Sequence, residues 1–175
     1  NLALQGGGAH GAFTWGVLDR LLEEEDIEIA AISGTSAGAL NGAALKAGIL
    51  EGGRAGARAR LDWLWAQVSA VQAPSLPAWM NAWLPTPGMI SRSLENAPGY
   101  MLGDAVSRMM SPYAWGPLYR NPLEPIVAKL NFGKVCALEG PELFICATQV
   151  REGKVRVFSG DRITTQSIMA SACLP

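Results

Sequence analysis

The residues best suited to covalent chemistry in this chain are a serine between glycines and, upstream of it, a run of glycines. Ser36 lies in Gly34-Thr35-Ser36-Ala37-Gly38, after an apolar run from Ile27 to Ile32 broken by Glu28 and before a small-residue helical pattern. Strand, sharp turn with the serine at its tip, then helix is the arrangement of a nucleophile elbow. Gly34 and Gly38 have no Cβ, so strand and helix can approach closely around a serine held in a strained conformation. The positive end of the following helix favours negative charge developing at the site.

The second device is at the start of the chain. A short apolar strand candidate, Asn1 to Gln5, runs into Gly6-Gly7-Gly8-Ala9-His10-Gly11. Phe13, Val17, Leu18, Leu21 and Leu22 then recur at helical spacing, which predicts an amphipathic helix. Bare amides of Gly6, Gly7 and Gly8 can form an oxyanion hole for a tetrahedral acyl intermediate. Two successive strand–loop–helix units would place loop and serine together at the C-terminal edge of one parallel sheet. Gly6, Gly8 and Gly11 also satisfy Gly-x-Gly-x-x-Gly, a dinucleotide fingerprint. That reading wants an acid at the far end of the second strand, whereas Glu28 stands at its start. A purely structural glycine turn is the other alternative.

Gly-Gly-Gly-x-His-Gly followed by Gly-Thr-Ser-Ala-Gly resembles the patatin-like phospholipase family of lipid acyl hydrolases. The stretch from Phe158 to Asp161 and on through Ser167 to Pro175 resembles the family's third block, a helix ending in Ala-Ser-x-x-x-Pro, here Ala170, Ser171 and Pro175. The resemblance implies a three-layer α/β/α fold with a mainly parallel sheet. It also implies a Ser–Asp dyad, with Ser36 as nucleophile and the aspartate in an Asp-Gly-Gly or Asp-Gly-Ala motif after the third block. At the position of His10 the family carries a basic or polar residue beside the oxyanion loop. His10 is therefore expected to orient the loop or contact substrate, with Gly11, Thr35 and Ala37 as further candidate contacts, and a general-base role is the lesser alternative.

No Asp-Gly pair occurs among the 175 residues. Asp19, Asp26, Asp62, Asp104 and Asp161 all read as solvated or capping residues. With an opening Asn1 in place of Met, both ends look cut. Residues 1–175 are then expected to be the N-terminal part of one patatin-like domain, with the catalytic aspartate beyond Pro175 and the remainder of the domain as a packing partner.

Composition fits an enzyme core. An apolar content of 49% suffices for a packed α/β interior, and a net charge of −1 argues against a nucleic-acid partner. No apolar run reaches the roughly eighteen residues of a membrane span. Cys136, Cys146 and Cys173 show no metal spacing and read as buried thiols of a reducing compartment. Serine acyl chemistry needs no cofactor and no metal. The expected partner is a lipid ester, with peripheral membrane contact as a further expectation and the bacterial cytoplasm or membrane surface as the location.

The remaining chain organises around these devices. Residues 36–48 predict a small-residue helix, Gly48 to Gly56 a break, and the stretch with Arg58, Arg60, Leu61, Leu64 and Trp65 a second helix. Residues 70–100 are rich in Pro and Trp, with Trp79 and Trp83 among four prolines from Pro74 to Pro87, and form either an insertion folded on the core or a lipid-touching lid. Asp104 to Met110 reads as a short helix. Asn121-Pro122-Leu123-Glu124 predicts a helix start capped by Asn121. Leu143 to Thr148 predicts a buried strand, and Arg151 to Lys154 a hairpin turn into Val155–Phe158. The function expected is hydrolysis of lipid esters, of phospholipase A or lysophospholipase type, through an acyl-enzyme on Ser36. An acyltransferase using the same intermediate and a non-catalytic lipid- or partner-binding module are the alternatives.

Overall fold

The computed structural model of the protein describes residues 1–72 and 121–172. The Pro/Trp-rich insertion or lid (apart from its first residues), the helix at Asp104–Met110, Cys173 and the closing Pro175 lie outside the described residues. Four strands form one mixed sheet in the order β1-β2-β3-β4: β1 Leu2–Leu4, β2 Ala31–Gly34, β3 Glu142–Gln149 and β4 Lys154–Ser159. β1, β2 and β3 are parallel, with Leu2 opposite Ile32 and Ile32 opposite Leu143. β4 returns antiparallel to β3 through the turn at Gly153, so the expected hairpin forms. The architecture is α/β with a mainly parallel sheet.

β2 starts later than the apolar pattern suggests. Ile27 and Glu28 are exposed loop, and the strand begins at Ala31. Arg54 accounts for this: its guanidinium donates to the carbonyls of Leu22, Glu25 and Ile27, binding the connection as a loop instead of extending the ladder. β3 buries Leu143, Ile145 and Ala147 and leaves Phe144 and Cys146 half-covered, so the predicted buried strand is fully buried on one face only.

Helix α1, Gly11–Leu21, follows β1 and its glycine loop. Its buried line is Gly11, half-buried Trp15, Leu18 and, just past its end, Leu22. Phe13 is 78% exposed and Val17 51%, so two of the five apolar positions expected on the inner face point outward. Tertiary packing decides this. A Cβ at Gly11 would stand 2.6 Å from the Ala37 Cβ and 2.8 Å from the Trp65 ring, and Trp15 stacks on Trp65 at 6.5 Å between centroids.

Helix α2, Ala37–Gln72, is broken at Gly52–Gly53, where Gly53 has φ +61° and ψ −144°, a conformation that excludes side-chain-bearing residues. Asn41 meets Trp65 while Gly48 meets Gly56 and Ala57, so the two halves run antiparallel as a helical hairpin. The sequence pattern marks Gly48 to Gly56 as the break. In the structure Gly48 and Gly56 stay helical and are the points of closest approach between the halves, with a Cβ at Gly48 only 2.5 Å from the Ala57 Cα. An ion pair from Arg60 to Glu51 ties the two halves together beside the turn.

Two short helices, α3 Glu124–Val127 and α4 Phe132–Val135, lead into β3. α3 begins after a turn at Pro122–Leu123, without a side-chain cap, and Pro125 occupies its first turn; the start expected with Asn121 as cap is shifted by two residues. The core joins Ile32, Leu45, Leu61, Leu64, Val127, Val135, Ile145, Ile163 and Ile168. Each such buried aliphatic side chain contributes about 1.5–3 kcal/mol. Lys46, 3% exposed, donates from Nζ to the Ala137 carbonyl at 2.7 Å, and burial lowers its pKa from the usual lysine range. Cys136 and Cys146 are free thiols and half-buried instead of fully buried. Burial raises the Cys136 thiol pKa, and its Sγ–H donates to the Ile163 carbonyl at 3.2 Å. Among the described residues no helix is long and apolar enough to cross a membrane. The final described helix, α5 Thr165–Ala172, packs along β3.

Candidate active site

Ser36 stands between β2 and α2 with φ +55°, the sole non-glycine residue of positive φ among those described. A left-handed serine costs free energy and persists where its surroundings over-determine it. Here the surroundings do so from every side. The preceding Thr35 N–H donates to the Leu4 carbonyl at the end of β1 (3.3 Å), and the Ser36 carbonyl accepts from the N–H groups of Ala39 (2.9 Å) and Leu40 (3.2 Å). The Ser36 N–H donates to Ser171 Oγ at 2.8 Å. Gly34 and Gly38 make the crossing possible: a Cβ at Gly38 would run into the Leu4 carbonyl, and one at Gly34 into the Gly38 backbone.

The glycine loop comes to the same place. A Cβ on Gly6 would lie 3.0 Å from the Ser36 Cβ and 3.1 Å from the Thr35 oxygen, so the loop is in van der Waals contact with the elbow. Gly7 at φ +150° and Gly8 at φ +55° then turn the chain through a 3₁₀ turn, Gly8–His10. The Gly7 carbonyl accepts from the His10 N–H and from His10 Nδ1, both at 3.1 Å. A trans peptide directs its N–H opposite to its C=O, so the Gly8 N–H points away from His10. Among the described residues, the amides of Gly7, Gly8 and Ala37 donate to no protein acceptor. Three donors without an acceptor among the described residues thus belong to the loop and to the first residue of α2, whose positive end lies at Ser36.

The other candidate residues have definite places. Gly11 is buried, and its carbonyl accepts from Asn41 Nδ2 at 3.0 Å. The Ala37 side chain is buried against Gly11, leaving its N–H as the part able to face a substrate. Thr35 is exposed beside the serine, and His10 is exposed and tied to its own loop. Asp19 is held by Arg58 Nε and Nη2 at 2.7 and 2.9 Å, and Asp26, Asp62 and Asp161 are exposed. Asp104 lies outside the described residues.

Two supporting residues escaped the sequence reading. Asn41, wholly buried, joins the end of the glycine loop to α2 by donating to Gly11 and accepting from Trp65 Nε1 at 2.8 Å. Its signal was a lone amide on the packing face of a helix of small residues. Ser171 carried a signal only through its block, which assigned it no task.

Strand–turn–helix at Ser36 beside a strand–glycine loop–helix defines an α/β protein with a candidate site at the C-terminal edge of parallel strands. A family model described as patatin-like phospholipase matches residues 2–175, and the chain belongs to that family, whose members are lipid hydrolases. No curated protein and no solved structure matches the chain.

Proposed function

We propose that this chain carries the nucleophile and oxyanion site of a serine-dependent lipid ester hydrolase, of phospholipase A or lysophospholipase type. The Ser36 hydroxyl oxygen bonds to the acyl carbon as its proton passes to a carboxylate, and the amides of Gly7 and Gly8, joined by that of Ala37, receive the oxyanion. Collapse of the tetrahedral intermediate breaks the ester C–O bond, the carboxylic acid returns its proton to the departing oxygen, and the lipid alcohol leaves an acyl-enzyme on Ser36. Water, deprotonated by the same carboxylate, releases the fatty acid and restores the serine. Gly6 serves as the spacer that lets the loop touch the elbow. The carboxylate belongs to the family's Asp-Gly block, which residues 1–175 do not contain. A carboxylate is a strong enough base for this step only when desolvated, so the completed pocket is dry around it.

The observation that carries the reading is the left-handed Ser36 in contact with a glycine loop whose Gly7 and Gly8 amides have no acceptor among the described residues. In the full polypeptide, Ser36→Ala is expected to abolish labelling by a fluorophosphonate probe. Turnover of a chromogenic short-chain ester should fall by about a millionfold, to background, with the fold intact. Labelling that survives, or that maps to Ser33 or Ser171, overturns the assignment, and a protein that binds lipid without Ser36-dependent turnover is a binding module. Product analysis with an added acceptor alcohol separates hydrolase from acyltransferase.

A further inference from the structure

Resting on that reading of Ser36, we infer that Ser171 is a positioning residue that sets the nucleophile elbow from the far end of the chain. Ser171 lies on α5, 135 residues from Ser36. Its Oγ accepts the Ser36 N–H at 2.8 Å and donates its own proton to the Cys146 carbonyl of β3 at 2.6 Å. The hydroxyl thus bridges the elbow tip to the neighbouring strand. A hydroxyl has one proton, and here it is committed to Cys146, so Ser171 is neither a nucleophile nor a proton donor to substrate.

The bridge acts on the least comfortable residue of the site. A serine at φ +55° points its N–H away from any ladder or helix partner, and its alternative is to relax toward ordinary backbone angles, carrying Oγ with it. The Ser36 carbonyl is held by the first turn of α2, and Ser171 holds the N–H, so both peptide groups flanking the Cα are fixed. Releasing one lets the nucleophile rotate, and a displacement of about 1 Å costs about a hundredfold in rate without changing what binds the substrate. The same bridge gives the Ala-Ser-x-x-x-Pro block a task in this chain: α5 is the element that presents the hydroxyl.

In the full polypeptide, Ser171→Ala is expected to lower kcat on a chromogenic ester by about a hundredfold with KM nearly unchanged, and to slow fluorophosphonate labelling of Ser36 in proportion. By NMR-detected hydrogen exchange, the Ser36 amide should exchange about fivefold faster or more, as one lost hydrogen bond implies. Ser171→Thr, which keeps the hydroxyl, should recover most of both. If the alanine variant unfolds, Ser171→Cys, close in shape and a weak hydrogen-bonder, carries the same test. Wild-type kcat in a folded Ser171→Ala protein, or a threonine variant as impaired as alanine, overturns the inference. Activity that needs Ser36 but not Ser171 overturns it alone, whereas activity indifferent to Ser36→Ala removes the proposed function as well, even if the amide exchange behaves as expected.

Discussion

The two strand-to-helix connections at the site solve the same topological problem by opposite means. After β1 the chain turns through Gly6–His10, an exposed loop whose internal bonds are local: His10 reaches back three residues to the Gly7 carbonyl through both backbone and ring. After β2 it turns at Ser36, which is half-buried and held by bonds that span the fold, to Leu4, 31 residues before Thr35, and to Ser171. The glycine loop obtains its shape from freedom, since glycines enter positive φ at no steric cost. The elbow obtains its shape from constraint imposed on a residue that resists it. In the proposed function, the donors that receive the oxyanion sit on the first, and the atom that must be placed closely sits on the second.

Substitutions can break the contrast. The largest effect short of removing the nucleophile is expected for Gly7→Ala, because φ +150° with ψ 21° is closed to alanine. The loop must refold and take a donor out of place, which costs about a hundred- to a thousandfold in kcat, read from steady-state kinetics. Asn41→Ala comes next and acts on stability. It leaves the Gly11 carbonyl and the Trp65 N–H buried without partners, and thermal or urea unfolding should register about 2 kcal/mol of destabilisation. The smallest effect belongs to His10→Ala. It removes one exposed hydrogen bond to the loop while the backbone bond to Gly7 remains, so kcat should fall roughly fivefold, about 1 kcal/mol, with Ser36 labelling retained. A loss as complete as that of Ser36→Ala would instead make His10 the base.

Local rules carried the parts of the site that are local. Glycine spacing, the small residues after Ser36 and the hairpin signal at Gly153 each describe a backbone conformation that a few neighbouring residues decide. They were correspondingly legible: loop, elbow, α1 and the β3–β4 hairpin form where the sequence places them. Periodicity was less informative wherever a helix or strand chooses its partner. Phe13 and Val17 satisfy the apolar spacing of α1 and still face outward, because α1 docks through Gly11, which lets its backbone meet Ala37 and Trp65, and through Trp15, which stacks on Trp65. Gly48 and Gly56 look like punctuation and are in fact contact points between half-helices.

The sequence by itself therefore determined the chemical type of the site, a serine on a strand–turn–helix beside bare glycine amides, since that requires only short-range stereochemistry. It also placed the chain in its family, because the same short blocks carry the resemblance. Tertiary structure alone decided what holds the serine in place. The bond from Ser36 to Ser171 and the buried Asn41 bridge join residues separated by long stretches of chain. No spacing rule reaches across such a separation, because which distant hydroxyl or amide meets an unpaired backbone group is settled only when the helices and strands between them have packed.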